Sequence, residues 1–178
     1  MQASRPATIQ IRSLSAPEVR ECVSALAGVL VDCVEGGASV SFMWPFTQAE
    51  AEEFFRNMAD GVSKGERILL AAFESSKLVG TVQVVTAMPP NQPHRAEVAK
   101  LLVHRSARGQ GVGSLLMQHA EQEARSAGKT LLVLDTATGG DAERLYQRTN
   151  WVRGCVIPRY AHFPDGGWGD TTIFWKHI

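Results

Sequence analysis

Cysteine is scarce in this chain and carries no pattern. Cys22, Cys33 and Cys155 are the only three in 178 residues, and no CxxC pair occurs. An odd number at wide spacing argues against a disulfide framework or a thiolate zinc site and fits reduced thiols. The five histidines show no HxxxH spacing, so no metal centre is expected. An excess of one charge is missing too: 18 Lys and Arg balance 18 Asp and Glu. Sequence-blind nucleic-acid binding runs on phosphate neutralisation, so no nucleic-acid partner is expected. No apolar run reaches the length of a membrane span, and the opening "MQASRPATIQIRSL" lacks an apolar leader core. A cytoplasmic location without a membrane partner is the expectation. Repeats and low-complexity tracts are absent, and the length suits a single domain over residues 1–178.

The periodicities that are present alternate between two kinds. Ile9 and Ile11 alternate with polar neighbours in a short strand. Val19, Cys22, Val23, Leu26, Leu30 and Cys33 then keep the helical period until Gly36-Gly37. Thr47 with Glu50 forms the capping box of a second helix. Two strands turn at Ser75-Ser76-Lys77, and a third follows in "HRAEVAKLLVHRSA". A glycine-headed helix, a buried strand "KTLLVLDTA", a short helix "GGDAERLYQRTN" and two strands around "PDGG" complete the chain. The predicted order is βααβββαβαββ. It implies an α+β domain with a mixed, mostly antiparallel sheet, flanked by helices and holding one β-α-β crossover.

The stretch "SARGQGVGSLL" places Gly109, Gly111 and Gly113 at alternate positions where a helix begins. Bare N–H groups at a helix N-terminus, with the helix dipole behind them, attract phosphates, and glycine lets a ligand approach the backbone. Arg108 adds a guanidinium able to hold a phosphate bidentately. A Walker loop is excluded, because no lysine stands where GxxxxGK[ST] requires one. A dinucleotide fingerprint needs GxGxxG, whereas this stretch reads GxGxG. Asp135, however, lies 22 residues beyond Gly113 at a strand end, roughly where a ribose-binding acid would sit. A nicotinamide-dependent enzyme therefore stays open as an alternative.

"VHRSARGQGVGSLLMQHAEQEARSAG" resembles the (Q/R)xxGx(G/A) motif of the GNAT N-acetyltransferases, with Arg108, Gly111 and Gly113 in its three defined positions. "AERLYQRTNW" resembles the family's later AxxxYxxxGF motif through Ala142 and Tyr146, with Asn150-Trp151 replacing Gly-Phe. Within that family, "GGASVSFM", "HRAEVAKLLVHRSARGQGVG", "LLVLDT" and "PDG" are similar to the tabtoxin-resistance acetyltransferases.

The resemblance implies an acetyl-CoA-dependent N-acetyltransferase acting on the primary amine of a small molecule, such as an amino-acid-like toxin or antibiotic. It implies a V-shaped splay between two parallel central strands, near residues 97–103 and 130–136, that receives the pantetheine arm. Leu102 and Val103 would offer backbone groups, with the Val103 N–H as oxyanion donor. Arg108, Gly109, Gln110, Gly111, Val112, Gly113 and Ser114 would wrap the pyrophosphate. Tyr146 would protonate the leaving thiolate. Glu97 and Asp135, on the strands framing the V, are candidate bases for the amine proton. Glu97, Ala99, Leu101 and Val103 are expected to share one strand face. Cys155 has no His or carboxylate at a telling spacing, so direct transfer is favoured over an acyl-cysteine relay. His94 and His104 flank the same strand. The loops "GGASVSFMWPF" and "PRYAHFPDGGWGD" are expected to line the acceptor pocket. A nonenzymatic acetyl-CoA-binding module is the other alternative, and a homodimer is a possible assembly.

Overall fold

Two capping boxes start α-helices in the first third of the chain, the second of them at the Thr47–Glu50 pair read from the sequence. In the computed structural model, which describes residues 8–178, the Ser15 N–H donates to Glu18 at 2.8 Å. The Thr47 N–H likewise donates to Glu50 at 2.8 Å, and the Glu50 N–H returns to the Thr47 hydroxyl. Such reciprocal bonds satisfy donors that a helix N-terminus otherwise leaves bare. Residues 1–7, on which the reading of the leader partly rests, lie outside the described residues.

Strand β1 (Ile9–Leu14) is followed by α1 (Ala16–Glu21), α2 (Val23–Glu35) and α3 (Gln48–Ser63). Next come β2 (Arg67–Glu74), β3 (Lys77–Val85) and β4 (Arg95–Val103), then a single 3₁₀ turn at Arg105–Ala107. The chain ends with α4 (Val112–Ser126), β5 (Leu131–Ala137), α5 (Asp141–Arg148), β6 (Val152–His162) and β7 (Trp168–His177). The expected order is corrected at one place: the single helix read through Cys22 is two helices. Cys22 has ψ of 3°, outside the helical range, and the pieces separate there. The cause lies in packing. Helix α1 leans on α3, whereas α2 runs between α3 and the sheet and buries residues all round, Leu26, Ala27, Val29, Leu30 and Val34 among them. A hydrophobic period alone does not reveal such a change of partner.

The strands form one seven-stranded sheet in the order β1-β2-β3-β4-β5-β7-β6. Every pair is antiparallel except β4–β5. Helix α4 and Tyr146 of α5 cover one face, over Leu70, Val82, Val84 and Leu132. Helices α1 to α3 cover the other, over Leu69, Ala71 and Phe73. Alternate residues of β2 therefore feed two cores, which explains why the strand is a nearly continuous apolar run.

The parallel pair is short. Only Arg95–Glu97 and Leu131–Val133 are in register. Beyond them β4 stays with β3 and β5 stays with β7, so the two strands part into a V. The closed end is held by the Thr130 N–H on the His94 carbonyl at 2.8 Å and by Lys129 Nζ on the carbonyls of Thr86 and Pro93.

Strand β4 also carries a bulge. Thr81 pairs with Leu102 and Gln83 with Ala99, so three steps on β4 match two on β3. Lys100, at the bulge, has φ of +54°. One inserted residue exchanges the faces beyond it. Val98 lies in the α4-side core before the bulge, Leu101 and Val103 pack against that core after it, and Leu102 joins the opposite one. The expected common face for Glu97, Ala99, Leu101 and Val103 is thereby corrected.

Candidate active site

The open V leads into a cleft of about 1160 Å³. Its floor is Val98 to Val103 of β4 and Asp135 to Ala137 of β5. One end is the glycine loop and the start of α4, and the other is closed by residues 39–43 and 160–163. That volume exceeds the usual range for one small ligand, about 300–1,000 Å³, and suits two reactants.

The strand register decides which backbone groups reach the gap. The His104 N–H donates to the Val79 carbonyl at 2.9 Å, and Leu102 stands opposite Thr81. In an antiparallel ladder, hydrogen-bonded pairs alternate with unbonded ones. Leu102 is therefore committed to β3, and the N–H and C=O of Val103 point toward β5. The expectation that Leu102 shares its backbone with a ligand is corrected; Val103 alone of the two is placed to do so. Its carbonyl accepts from Arg108 Nε at 3.0 Å and from the Cys33 thiol at 3.6 Å, which leaves the N–H facing the gap.

The glycine loop leaves its backbone open at the start of α4. Gly109 and Gly111 have φ of +75° and +81°, and Gly111 caps α4 in the left-handed conformation. A side chain there would strain the backbone. The first intrahelical bond runs from the Leu115 N–H to the Gly111 carbonyl, so the N–H groups of Val112, Gly113 and Ser114 have no partner within the helix. Gly113 serves packing instead: a Cβ would lie 3.2 Å from the Leu145 side chain of α5. Val112 is buried in the core and offers its amide alone, while the Gln110 side chain bonds the Ser106 carbonyl at 3.2 Å.

Arg108 does not stand as expected. Its guanidinium turns back onto Val103 and approaches Cys33 Sγ at 3.7 Å, instead of extending over the helix start. The turn beneath it is fixed by Asp32 of α2. This buried carboxylate accepts the Arg105 N–H at 2.8 Å and the Arg105 guanidinium, with His104 at 3.4 Å. Asp32 was not among the residues singled out from the sequence; an acid near the C-terminal end of an apolar helix was the available signal.

The three candidate catalytic residues part company. Tyr146 lines the cleft and is buried against Trp151 and Phe174, with ring centroids 5.9 and 5.7 Å away. Burial, with the nearby Asp135 carboxylate, pushes its phenol well above the ordinary tyrosine pKa. Asp135 lines the same cleft. Glu97 is not brought there. It sits at the zipped end of the V, exposed, with its carboxylate 2.7 Å from Arg95.

Lys100 enters the site unforeseen. The bulge turns it into the cleft, where Nζ donates to Ser41 Oγ at 3.0 Å. Burial lowers its pKa from the usual lysine value, and Asp135 partly offsets this. A lone lysine inside the apolar run "VAKLLV" was the visible signal.

The two loops expected at the acceptor side do meet. Ser39 Oγ donates to the His162 carbonyl at 3.0 Å and the Trp44 N–H to the Pro164 carbonyl at 3.0 Å. Trp168 lies outside the cleft lining, stacked on His162 at 3.9 Å. Cys155 lies on the exposed edge strand and does not line the cleft. The nicotinamide alternative is corrected by the topology: Asp135 stands in a strand paired antiparallel to β7, not in a doubly wound parallel sheet. Among the described residues, no three His, Cys, Asp or Glu side chains gather as metal ligands.

Solved structures share this architecture. An N-acetyltransferase from Staphylococcus aureus Mu50 superposes with a TM-score of 0.79 at 21% identity, covering 96% of this chain and 98% of that one. A ribosomal-protein-alanine N-acetyltransferase from Brucella melitensis gives 0.78 at 21%, covering 95% and 99%. The ribosomal alpha-N-protein acetyltransferase RimL, in complex with coenzyme A, gives 0.78 at 18%, covering 96% and 94%. At such identities the likeness is one of fold. The sequence carries the assignment further, because the model of the acetyltransferase (GNAT) family matches residues 37–151, which include the cleft floor, the glycine cradle and Tyr146. The chain belongs to the acetyltransferase (GNAT) family.

Proposed function

We propose that this acetyltransferase moves an acetyl group from acetyl-CoA to the primary amine of a small molecule by direct transfer. The observation that carries the reading is a convergence: the bare N–H groups of α4, the Val103 amide and Tyr146 all border one cleft. The cradle fits a pyrophosphate, since Gly109 and Gly111 hold a conformation that leaves the backbone open to a ligand. Gly109 to Ser114 would hold the phosphates, with Arg108 fixing the end of β4 beside them, and Val103 would pair with the pantetheine arm. Bound there, acetyl-CoA supplies an activated thioester.

The chain's own groups divide the remaining work. The Val103 N–H is the donor for the oxyanion that develops during attack. Tyr146 holds its proton throughout the neutral range, because burial disfavours the phenolate, and it delivers that proton to the leaving sulfur. Asp135 accepts the ammonium proton of the acceptor, directly or through water. Glu97 has no part in this scheme, given its place beside Arg95. Residues 39–43 and 160–163, from the two bridged segments, wall the acceptor side. Their size, and the likeness of "GGASVSFM" to the tabtoxin-resistance enzymes, support a small amino-acid-like acceptor, with toxins and antibiotics among the candidates. The long, largely exposed edge strand β6 supports self-association as a homodimer.

An acetyl-transfer screen over a panel of small amines tests the reading. Acetylated product from at least one amine, with CoA released in equal amount, is expected. CoA release without product, or acetyl-enzyme trapped on Cys155, would contradict direct transfer.

A further inference from the structure

Three lysines are half-buried in this protein, and two of them are matched. Lys176 bonds both oxygens of Glu121 at 2.8 and 2.9 Å and the Thr149 carbonyl at 2.9 Å. Lys129 bonds two backbone carbonyls. Lys100 differs. Its only hydrogen bond among the described residues is to Ser41 Oγ, and it forms no ion pair. An ammonium has three donors, so two remain free. A cation withdrawn from water is costly unless it is paired, and Lys100 bears that cost while lining the cleft.

Its position is held by backbone as well as side chain. Lys100 occupies the left-handed bulge of β4, a conformation unfavourable for a residue with a Cβ. The bulge turns it toward the loop that carries Ser41, away from the glycine cradle. Asp135, exposed on β5 across the V, lines the same cleft, and its carboxylate has no hydrogen-bond or ion-pair partner among the described residues. Lys100 and Asp135 thus bring a cation and an anion, neither of them ion-paired, into the same cleft. A zwitterion is the ligand chemistry that satisfies both.

We propose that Lys100, anchored on Ser41, binds a carboxylate of the acceptor, so that the enzyme selects amines bearing an anionic group and turns their ammonium toward Asp135. The proposal rests on the amine-acetylation reading above and assigns the residue that would select the acceptor's carboxylate. Lys100 is a specificity residue here, distinct from the groups that handle the transferred acetyl.

The test pairs each amino acid in a panel with its own carboxamide, which keeps the amine and removes the negative charge. Wild-type kcat/KM is expected to favour the acids at least tenfold. Lys100→Gln is expected to raise KM for the acids tenfold or more and abolish the preference. The KM for acetyl-CoA stays unchanged in that variant, which also reports intact folding. Lys100→Arg keeps the charge and is expected to retain part of the preference. Equal use of acids and amides by wild type, or an equal loss of both in Lys100→Gln, overturns the proposal and leaves amine acetylation standing. Calorimetry of the same pairs on protein saturated with CoA distinguishes the two claims. Acid-selective binding that needs Lys100 but gives no product supports the carboxylate site and removes the transfer reading.

Discussion

Arg108 Nε donates to the Val103 carbonyl at 3.0 Å, which fastens the glycine loop to the last residue of β4. The same carbonyl receives the Cys33 thiol, so α2, 70 residues away in sequence, meets the end of β4 and the glycine loop at the mouth of the V. Arg108→Ala removes this tie and a positive charge beside the cradle. Acetyl-CoA affinity is expected to fall about tenfold, on the order of 1.4 kcal/mol, with a smaller change in kcat. Calorimetric titration of wild type and variant checks it.

Gly111 is needed for its conformation. Its φ of +81° would cost a residue with a Cβ about 1–2 kcal/mol. Gly111→Ala is expected to lower Tm by roughly 2–8 °C in a chain of this size, and to weaken acetyl-CoA binding as the cradle distorts. Scanning calorimetry with and without acetyl-CoA reads both effects.

Tyr146 makes a pH prediction of definite sign. Its folded pKa is raised above the ordinary tyrosine value of 10.0 by burial and by Asp135. The stability it contributes is fully present below pH 10 and is lost as pH rises through that value toward the folded pKa, because only the unfolded chain ionises readily there. Tyr146→Phe is expected to flatten the fall in stability above pH 10. In the same variant kcat is expected to drop about 10²-fold or more, with acetyl-CoA affinity unchanged. Denaturant melts across alkaline pH and steady-state kinetics are the two readouts.

The carboxylates separate by position. Glu97 bonds Arg95 at the zipped end of the V, whereas Asp135 lines the cleft. Glu97→Gln is expected to leave kcat within about twofold, since exposed ion pairs contribute only about 0–1 kcal/mol. Asp135→Asn is expected to lower kcat about 10²-fold. Pre-steady-state acetyl transfer on a working acceptor distinguishes the two carboxylates.

Asp32 carries the turn below the cradle through Arg105 and His104. Asp32→Ala strands those donors and is expected to cost about 1–3 kcal/mol, seen as a lower urea midpoint. A raised KM for acetyl-CoA is expected to accompany it.

Much of the fold was legible because local signals and tertiary packing agree. The glycines at the mouth of α4, the Thr47–Glu50 box and the strand of "KTLLVLDTA" each declare themselves locally. The bulge at Lys100 does not. Inserting one residue breaks the two-residue period that sequence reading relies on, so Glu97 and Val103 were placed on one face that they do not share. The division of α1 from α2 escaped for a related reason: Val19, Cys22 and Val23 keep the helical period while the helices change partners. Lys100 and Asp32 stand out locally as charges in apolar runs, but their contacts with Ser41 and Arg105 span 59 and 73 residues, so their partners are not legible in the sequence.

The central claim is that the α4 cradle and the V receive acetyl-CoA. Calorimetric titration with acetyl-CoA, CoA and NAD tests it most directly. Saturable one-to-one binding of acetyl-CoA and CoA, weakened in Arg108→Ala and absent for NAD, is the predicted result. Binding of NAD with no heat from either CoA species would contradict the account.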